Sequence, residues 1–459
     1  MRLLDHQREA MARSEGRDFF AFFMEQGTGK SLTVIEDASR SRLSRVLVVA
    51  PSGVHGTWSS HHLSHLPVQR LVWQNRPALI KSLPEICKTE EFFWLLMSYD
   101  SLATDAGERA ATKFLKTSEH VGLILDESQR IKSPSANRTR AALRISKLTS
   151  WRRVLSGTPI ADKPLDIYSQ MLALSPTYWR ERFGVPNYHV FKHEFAVWKK
   201  VELPSGARFE KLIGYRHLDR LSATIAKDSF RVLKRDVIKD LPEKTYETVY
   251  VPASDEQLRL LAQLRDELRM ELSSGVEVTA PLAIARMTRA QQVLGGTFPG
   301  TSERIPCPRL EATLELLEDD SQPTIVWCRF IEDVKAIAER SDDAVILIGE
   351  MSQKERTAAI SAFTSENGPR TLITTIGLAA EGYNFQRATR AIYYGNTFRL
   401  QDRLQSEDRC HRIGQKNAVT YYDLVCEDVK FDRKLLEVLR AKRDAAGEVL
   451  RDELEEWFK

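Results

Sequence analysis

The chain has 459 residues, 42% of them hydrophobic and 28% charged, enough to bury two or three sizeable cores rather than one. Its 67 basic and 63 acidic residues leave a formal charge of +4, too mild to demand a nucleic-acid partner and no obstacle to one held by local patches and loops. Five scattered cysteines (Cys87, Cys307, Cys328, Cys410, Cys426) with no Cys-x-x-Cys pair argue against a zinc ribbon or a disulfide framework, and no run of about 18 apolar residues exists to span a membrane.

In chain order, Met1-Arg2-Leu3-Leu4-Asp5-His6-Gln7 lacks the apolar core of a secretory leader, so the expectation is an intracellular, cytoplasmic protein. Phe19-Phe20-Ala21-Phe22-Phe23 reads as a buried strand that runs through Gln26-Gly27-Thr28-Gly29-Lys30-Ser31 into a helix. In such a loop the glycines let backbone N–H groups curl round phosphate oxygens, the lysine meets the β- and γ-phosphates, and the serine hydroxyl ligates magnesium. The strict eight-residue form of the pattern has a glycine where this chain has Met24.

Short apolar runs follow at intervals: Val46-Leu47-Val48-Val49, Gly122-Leu123-Ile124-Leu125, Thr324-Ile325-Val326-Trp327, Thr371-Leu372-Ile373-Thr374 and Ala391-Ile392-Tyr393-Tyr394. Continuous apolar strands alternating with helical patterns predict an α/β fold with parallel sheets covered on both faces. The second of these runs ends in Asp126-Glu127. Adjacent acids at a buried strand end are costly unless they bind a cation or do chemistry. Asp126 suits magnesium, and Glu127 suits orienting and deprotonating an attacking water.

Ser156-Gly157-Thr158-Pro159 follows another strand and, taken alone, reads as an ordinary turn. The basic run Arg138, Arg140, Arg144, Lys147, Arg152, Arg153 suits a polymer groove or a solvated helix face equally. The aromatic group around Trp179, Phe191 and Trp198 reads more readily as the core of a helical insertion than as a base-stacking surface. His61, His62 and His65 have no carboxylate or cysteine beside them and read as surface or packing residues. The last stretch, Phe431 to Lys459, spaces Leu435, Leu436, Val438, Leu439, Val449, Leu450 and Leu454 for a helix packing back on the body.

Two lobes follow, with a boundary near Asp240-Leu241-Pro242-Glu243-Lys244. Residues 1–240 would carry a helical insertion at about 165–235, and residues 241–459 one at about 252–300 together with the C-terminal helix.

The ordered motifs resemble the Swi/Snf-like branch of the superfamily-two helicases, the DEAD/DEAH-like ATP-dependent DNA translocases, over essentially the whole chain. Gln7 is similar to the adenine-recognising glutamine. Gly27 to Ser31 resembles motif I, with Gly27, Thr28, Gly29, Lys30 and Ser31 on the nucleotide, although Thr28 replaces the usual leucine. Ala50-Pro51-Ser52 is similar to motif Ia, and Ser98-Tyr99-Asp100 to a further polymer-contacting segment. Asp126-Glu127-Ser128-Gln129 resembles motif II with Gln129 in place of the usual histidine, and Ser156 to Pro159 resembles motif III. Phe230 to Arg235 with Leu241-Pro242-Glu243-Lys244 is similar to the linker between lobes. Val326 to Phe330 resembles motif IV, and Thr374-Thr375 through Glu381-Gly382-Tyr383-Asn384 motif V. Gln405-Ser406-Glu407-Asp408-Arg409-Cys410-His411-Arg412-Ile413-Gly414-Gln415 resembles motif VI, whose spacing puts Arg409 and Arg412 on one helical face.

The resemblance implies two tandem RecA-like lobes with ATP and magnesium between them. Lys30, Asp126, Glu127, Arg409 and Arg412 would be catalytic, and Gln7 and Gly382 would lie on the nucleotide. Ser31 and Asp126 would hold the metal, and Ser52, Ser98, Arg329 and Thr375 would lie along a nucleic-acid backbone. It also implies a monomer on double-stranded DNA and a compact bacterial or phage type. A strand-separating helicase on DNA or RNA, or a clamp with a decayed nucleotide site, are the rivals.

Overall fold

The computed structural model describes residues 3–450 apart from 60–62, 64–65, 67, 74–82, 84, 86–87, 89–91, 161–162, 203–207, 238–240, 274–279, 319–321, 382 and 413. The chain divides into two compact units. Unit 1 comprises 1–239 with 442–459, and unit 2 comprises 240–441.

Unit 1 is built on a parallel sheet of β1 (Phe19–Met24), β2 (Arg45–Val49), β3 (Gln69–Val72), β4 (Phe93–Met97), β5 (Val121–Leu125), β6 (Trp151–Leu155) and β9 (Ser229–Val232), in the order β3-β4-β2-β5-β6-β1-β9. The apolar runs are continuous because both faces of the sheet are covered. Ala21 and Phe23 belong to one core with Leu47 and Val49, while Phe20, Phe22 and Met24 belong to the other with Val46 and Val48. Helix α1 (Asp5–Ser14) precedes the sheet, and helix α2 (Lys30–Arg40) leaves the end of β1.

Unit 2 repeats the plan with β10 (Lys244–Val251), β11 (Thr324–Cys328), β12 (Ala344–Leu347), β13 (Thr371–Thr375), β14 (Arg390–Tyr393) and β15 (Val419–Cys426), ordered β10-β15-β14-β11-β13-β12 and parallel throughout. Ile325 and Trp327 face one core and Val326 and Cys328 the other. The expected α/β architecture of two parallel-sheet lobes is therefore met, and helix Lys430–Leu450 stands where a C-terminal helix was expected, with Leu435, Leu436 and Leu439 buried. Leu454 lies outside the described residues, as do His61, His62 and His65.

The stretch 165–235 is not purely helical. It contains the antiparallel hairpin β7 (Ala196–Glu202) and β8 (Arg208–Tyr215) and returns β9 to the edge of the sheet beside β1. Trp179 and Phe191 are buried, their ring centres 4.5 Å apart, and Trp198 is half-buried against the same core. They fill the insertion's interior, as core packing predicts.

Candidate active site

In unit 1 the sequence-predicted residues gather where the parallel strands end, the edge at which open α/β sheets place their sites. The loop after β1 leads into α2 at Lys30. Gly29 is the N-cap with φ 87, Gly27 has φ 83, and no side chain caps the helix. Both glycines occupy the left-handed region that costs other residues energy. A Cβ on Gly29 would stand 2.0 Å from Gln7 Nε2. The first N–H groups of α2 have no intrahelical partner, so the helix start is an anion cradle.

Gln7 is buried against this loop. Its Oε1 accepts from Leu4 N at 2.9 Å and its Nε2 donates to the Thr28 carbonyl at 3.2 Å, beside His6 Nε2, which donates to the same carbonyl at 2.8 Å. The side chain predicted to read adenine thus also holds the loop. Thr28 is itself buried, its hydroxyl donating to the Glu25 carbonyl at 2.7 Å.

Asp126 follows β5 directly. One carboxylate oxygen accepts from Trp58 Nε1 and the other from Glu127 N, each at 2.9 Å, and Tyr99 Oη donates to its carbonyl at 2.8 Å. Burial, and then the neighbouring Glu127 carboxylate, push the Asp126 pKa up to about 6, against the pull of Lys30, the Trp58 hydrogen bond and the Glu127 N–H. Glu127 has φ 50, a strained conformation for a non-glycine residue.

Gln129 lies beneath Glu127. Its Nε2 donates to Glu127 Oε2 at 2.5 Å and its Oε1 accepts from Ser156 Oγ at 2.6 Å, while Ser156 Oγ accepts from Thr158 N at 3.0 Å. The glutamine that replaces histidine therefore links the acid pair to the Ser156 turn within unit 1.

These groups suit a magnesium triphosphate. The acid pair is short of positive charge, its buried aspartate shifted upward, and the uncapped helix start beside it holds Lys30 and Ser31. Bound there, the ion would rest on Ser31 and Asp126.

Sequence reasoning missed Trp58 and Glu25, and it set Tyr99 and Arg231 in a polymer-contacting segment and the linker without their contacts to Asp126 and the phosphate-loop strand. Arg231 Nη1 donates to the carbonyls of Phe23 and Gly157 at 3.2 and 3.0 Å. Glu25 N donates to the Val232 carbonyl at 3.0 Å, and Glu25 Oε2 accepts from Lys234 N at 2.8 Å. An isolated Trp following Pro51-Ser52 was the one visible signal; the other contacts depend on partners far along the chain.

The four expected polymer residues also sit near strand ends. Ser52 is exposed after β2, and Ser98 follows β4 with its hydroxyl capping a one-turn helix through Ser101 N at 3.0 Å. Arg329 follows β11, and Thr375 closes β13; both are half-buried. The basic run does not form one face. Arg153 is buried on Asp37 at 2.7 Å with its guanidinium 4.1 Å from the Trp151 ring centre, and Arg144 pairs with Glu108 at 2.5 and 2.6 Å.

In unit 2, helix Leu400–Cys410 carries Arg409 but not Arg412, a correction to the shared helical face. His411 (φ −94, ψ 86) turns the chain out of the helix because its Nε2 donates to the Pro242 carbonyl at 2.6 Å. Arg409 is buried and Arg412 half-buried; Arg409 Nη1 donates to the Tyr383 carbonyl at 3.5 Å. Gly382 lies outside the described residues.

The same helix holds a buried charge cluster. Glu407 is fully buried; Arg403 Nε donates to its Oε1 at 2.9 Å, while Lys244 Nζ and Tyr246 Oη donate to its Oε2 at 3.1 and 2.8 Å. Arg403 continues to Asp423, which also accepts from Asn396 Nδ2 at 2.9 Å.

The model of the SNF2-related domain matches residues 7–293 and that of the helicase conserved C-terminal domain residues 308–414. The chain is 25% identical over 459 residues to the Caenorhabditis elegans SWI/SNF-related matrix-associated actin-dependent regulator of chromatin subfamily A-like protein 1 homolog, covering 98% of this chain and 62% of the relative. It is 24% identical to the Bacillus subtilis putative ATP-dependent helicase/translocase YwqA over 94% of this chain and 46% of that one. The chain thus spans under two thirds of the length of these relatives. Among solved structures, the Sulfolobus solfataricus SWI2/SNF2 ATPase core in complex with dsDNA is 22% identical, with a TM-score of 0.43, covering 99% of this chain and 94% of that one.

Proposed function

The chain belongs to the SNF2-related family of helicase-like ATPases, and from that premise we propose that it is an ATP-dependent translocase that moves along double-stranded DNA. In this reading residues 1–240 and 241–459 are the motor lobes. The observation that supports it best is the acid pair beside the uncapped, lysine-bearing helix start. Asp126 is held by Trp58 and Glu127 N, and Glu127 is held by Gln129.

Lys30 neutralises charge on the terminal phosphates. Glu127, fixed at one oxygen by Gln129, orients the attacking water and takes its proton. Arg409 and Arg412, from the second lobe, supply positive charge to the transferring phosphoryl group. Magnesium, when bound at Ser31 and Asp126, supplies further charge neutralisation. Ser52, Ser98, Arg329 and Thr375 contact the DNA backbone and read no sequence.

The test is ATP turnover at fixed salt against duplexes of increasing length, matched single strands and RNA. Stimulation by duplex, rising with length, is expected. Stimulation by single strands or RNA alone would move the reading to a strand-separating helicase, and no turnover with any polymer would leave a clamp.

A further inference from the structure

The linker between the two halves is held at both ends on functional loops. At its start, Arg231 bonds the carbonyls of Phe23 and Gly157, and Lys234 N bonds the Glu25 carboxylate at the root of the phosphate loop. At its end, β10 runs parallel to β15 with Lys244 opposite Val419 and Tyr246 opposite Tyr421. Strand alternation puts Lys244 and Tyr246 on one side, and Pro242 lies just ahead of the strand. All three meet the same helix: the Pro242 carbonyl at His411, and Lys244 and Tyr246 at Glu407. The Tyr246 ring also stacks on Tyr421 at 5.3 Å, and Tyr421 Oη donates to the Glu407 carbonyl at 3.0 Å.

Charge requires this arrangement. Glu407 and Asp423 are buried and Arg403 lies between them, so one arginine faces two carboxylates. Lys244 is the second cation, 3.1 Å from Glu407 and 4.0 Å from the buried Asp408 that precedes Arg409. A buried carboxylate left uncompensated reorganises its surroundings, and here those surroundings are the helix that presents Arg409 and the turn that presents Arg412.

We propose that Lys244 and Tyr246 are positioning residues that fix helix Leu400–Cys410 and the His411 turn. This rests on the reading of Arg409 and Arg412 as phosphate-facing groups. Lys244 acts through Glu407 and the neighbouring Asp408.

The experiment measures kcat and KM for ATP at saturating duplex DNA in the full chain. Lys244→Met should lower kcat about tenfold while KM stays within about twofold, because the phosphate loop is untouched. Lys244→Arg, which restores the charge, should recover at least about half of kcat. In the Arg409→Ala/Arg412→Ala background, followed by single-turnover hydrolysis, Lys244→Met should cost less than about twofold, since its effect runs through groups already removed. Unchanged kcat in Lys244→Met, or a loss that persists undiminished in the arginine-free background, would overturn the proposal. Should Lys244→Met not fold, Tyr246→Phe, which deletes one hydrogen bond and keeps the ring, carries the same comparison with about threefold expected. A wild-type chain without ATP turnover would overturn the proposed function instead.

Discussion

At the end of β5, Asp126 and Glu127 sit side by side with Trp58, a backbone N–H and Gln129 as their hydrogen-bond donors. In unit 2, Glu407 and Asp423 are buried more deeply; Arg403 pairs with both, and Lys244 pairs with Glu407 and lies 4.0 Å from Asp408. The first pair makes no ion pair among the described residues, and one member is pushed up to about 6; the second is closed by ion pairs. A carboxylate pair left open at a strand end is suited to receive a cation and a substrate, whereas a closed one fastens elements together. Removing charge should therefore have opposite consequences for stability at the two places.

The largest effects belong to chemistry. Glu127→Gln should bind ATP and lower turnover by about 10²–10³-fold, and Arg412→Ala by about 10³-fold or more, as loss of a preorganised charge does. Steady-state kinetics with duplex DNA reads both, and near-normal rates would remove the open pair from catalysis. Lys30→Ala should weaken nucleotide binding or turnover, measured in the same assay.

Next is the closed cluster. Arg403→Met leaves Glu407 and Asp423 facing each other with only Lys244, and should destabilise unit 2 by about 3–5 kcal/mol. Denaturant unfolding followed by tryptophan fluorescence reads this, and a neutral result would mean that the cluster is not the fastener inferred from its burial.

The open pair should do the reverse. Its aspartate lies above the ordinary 3.8 in the fold, so the native state holds the proton more tightly than the unfolded chain. Stability then falls as pH rises from about 4 through about 6. Asp126→Asn should stabilise the magnesium-free, nucleotide-free protein by up to about 3 kcal/mol at pH 8 and hardly at pH 4. Unfolding curves at the two pH values test the sign, and stabilisation that does not grow with pH would contradict it.

The smallest change is at Gln129. An amide does not titrate, so Gln129→His should keep turnover within about tenfold while adding a pH inflection near 6.5 on top of any that Asp126 gives both proteins. A pH–rate profile of both proteins decides this.

The strands β1, β2, β5, β11, β13 and β14 were legible because burial on both faces writes a continuous apolar run. The hairpin β7–β8 was not, since its residues alternate with charge and stand largely exposed, and β10 hid for the same reason. The phosphate loop and the acid pair were legible because their chemistry is local in sequence. The end of the arginine-bearing helix was not, for His411 is turned aside by a carbonyl 169 positions earlier. Likewise, nothing beside Asp126 announces Trp58, 68 positions away. What pattern reading loses is contact between distant segments.

The parallel pairing of β10 with β15 carries a rule of parity for the strand. Lys244 and Tyr246 share a side of the strand because they are two residues apart. A one-residue slip of β10 against β15 would turn Lys244 and Tyr246 away from Glu407. In one direction such a slip would bring Thr245 and Glu247 round, setting a carboxylate against a carboxylate. Steps of two keep the sidedness and merely move the pair along. The linker's own length is free of this parity so long as Lys244 keeps its place opposite Val419.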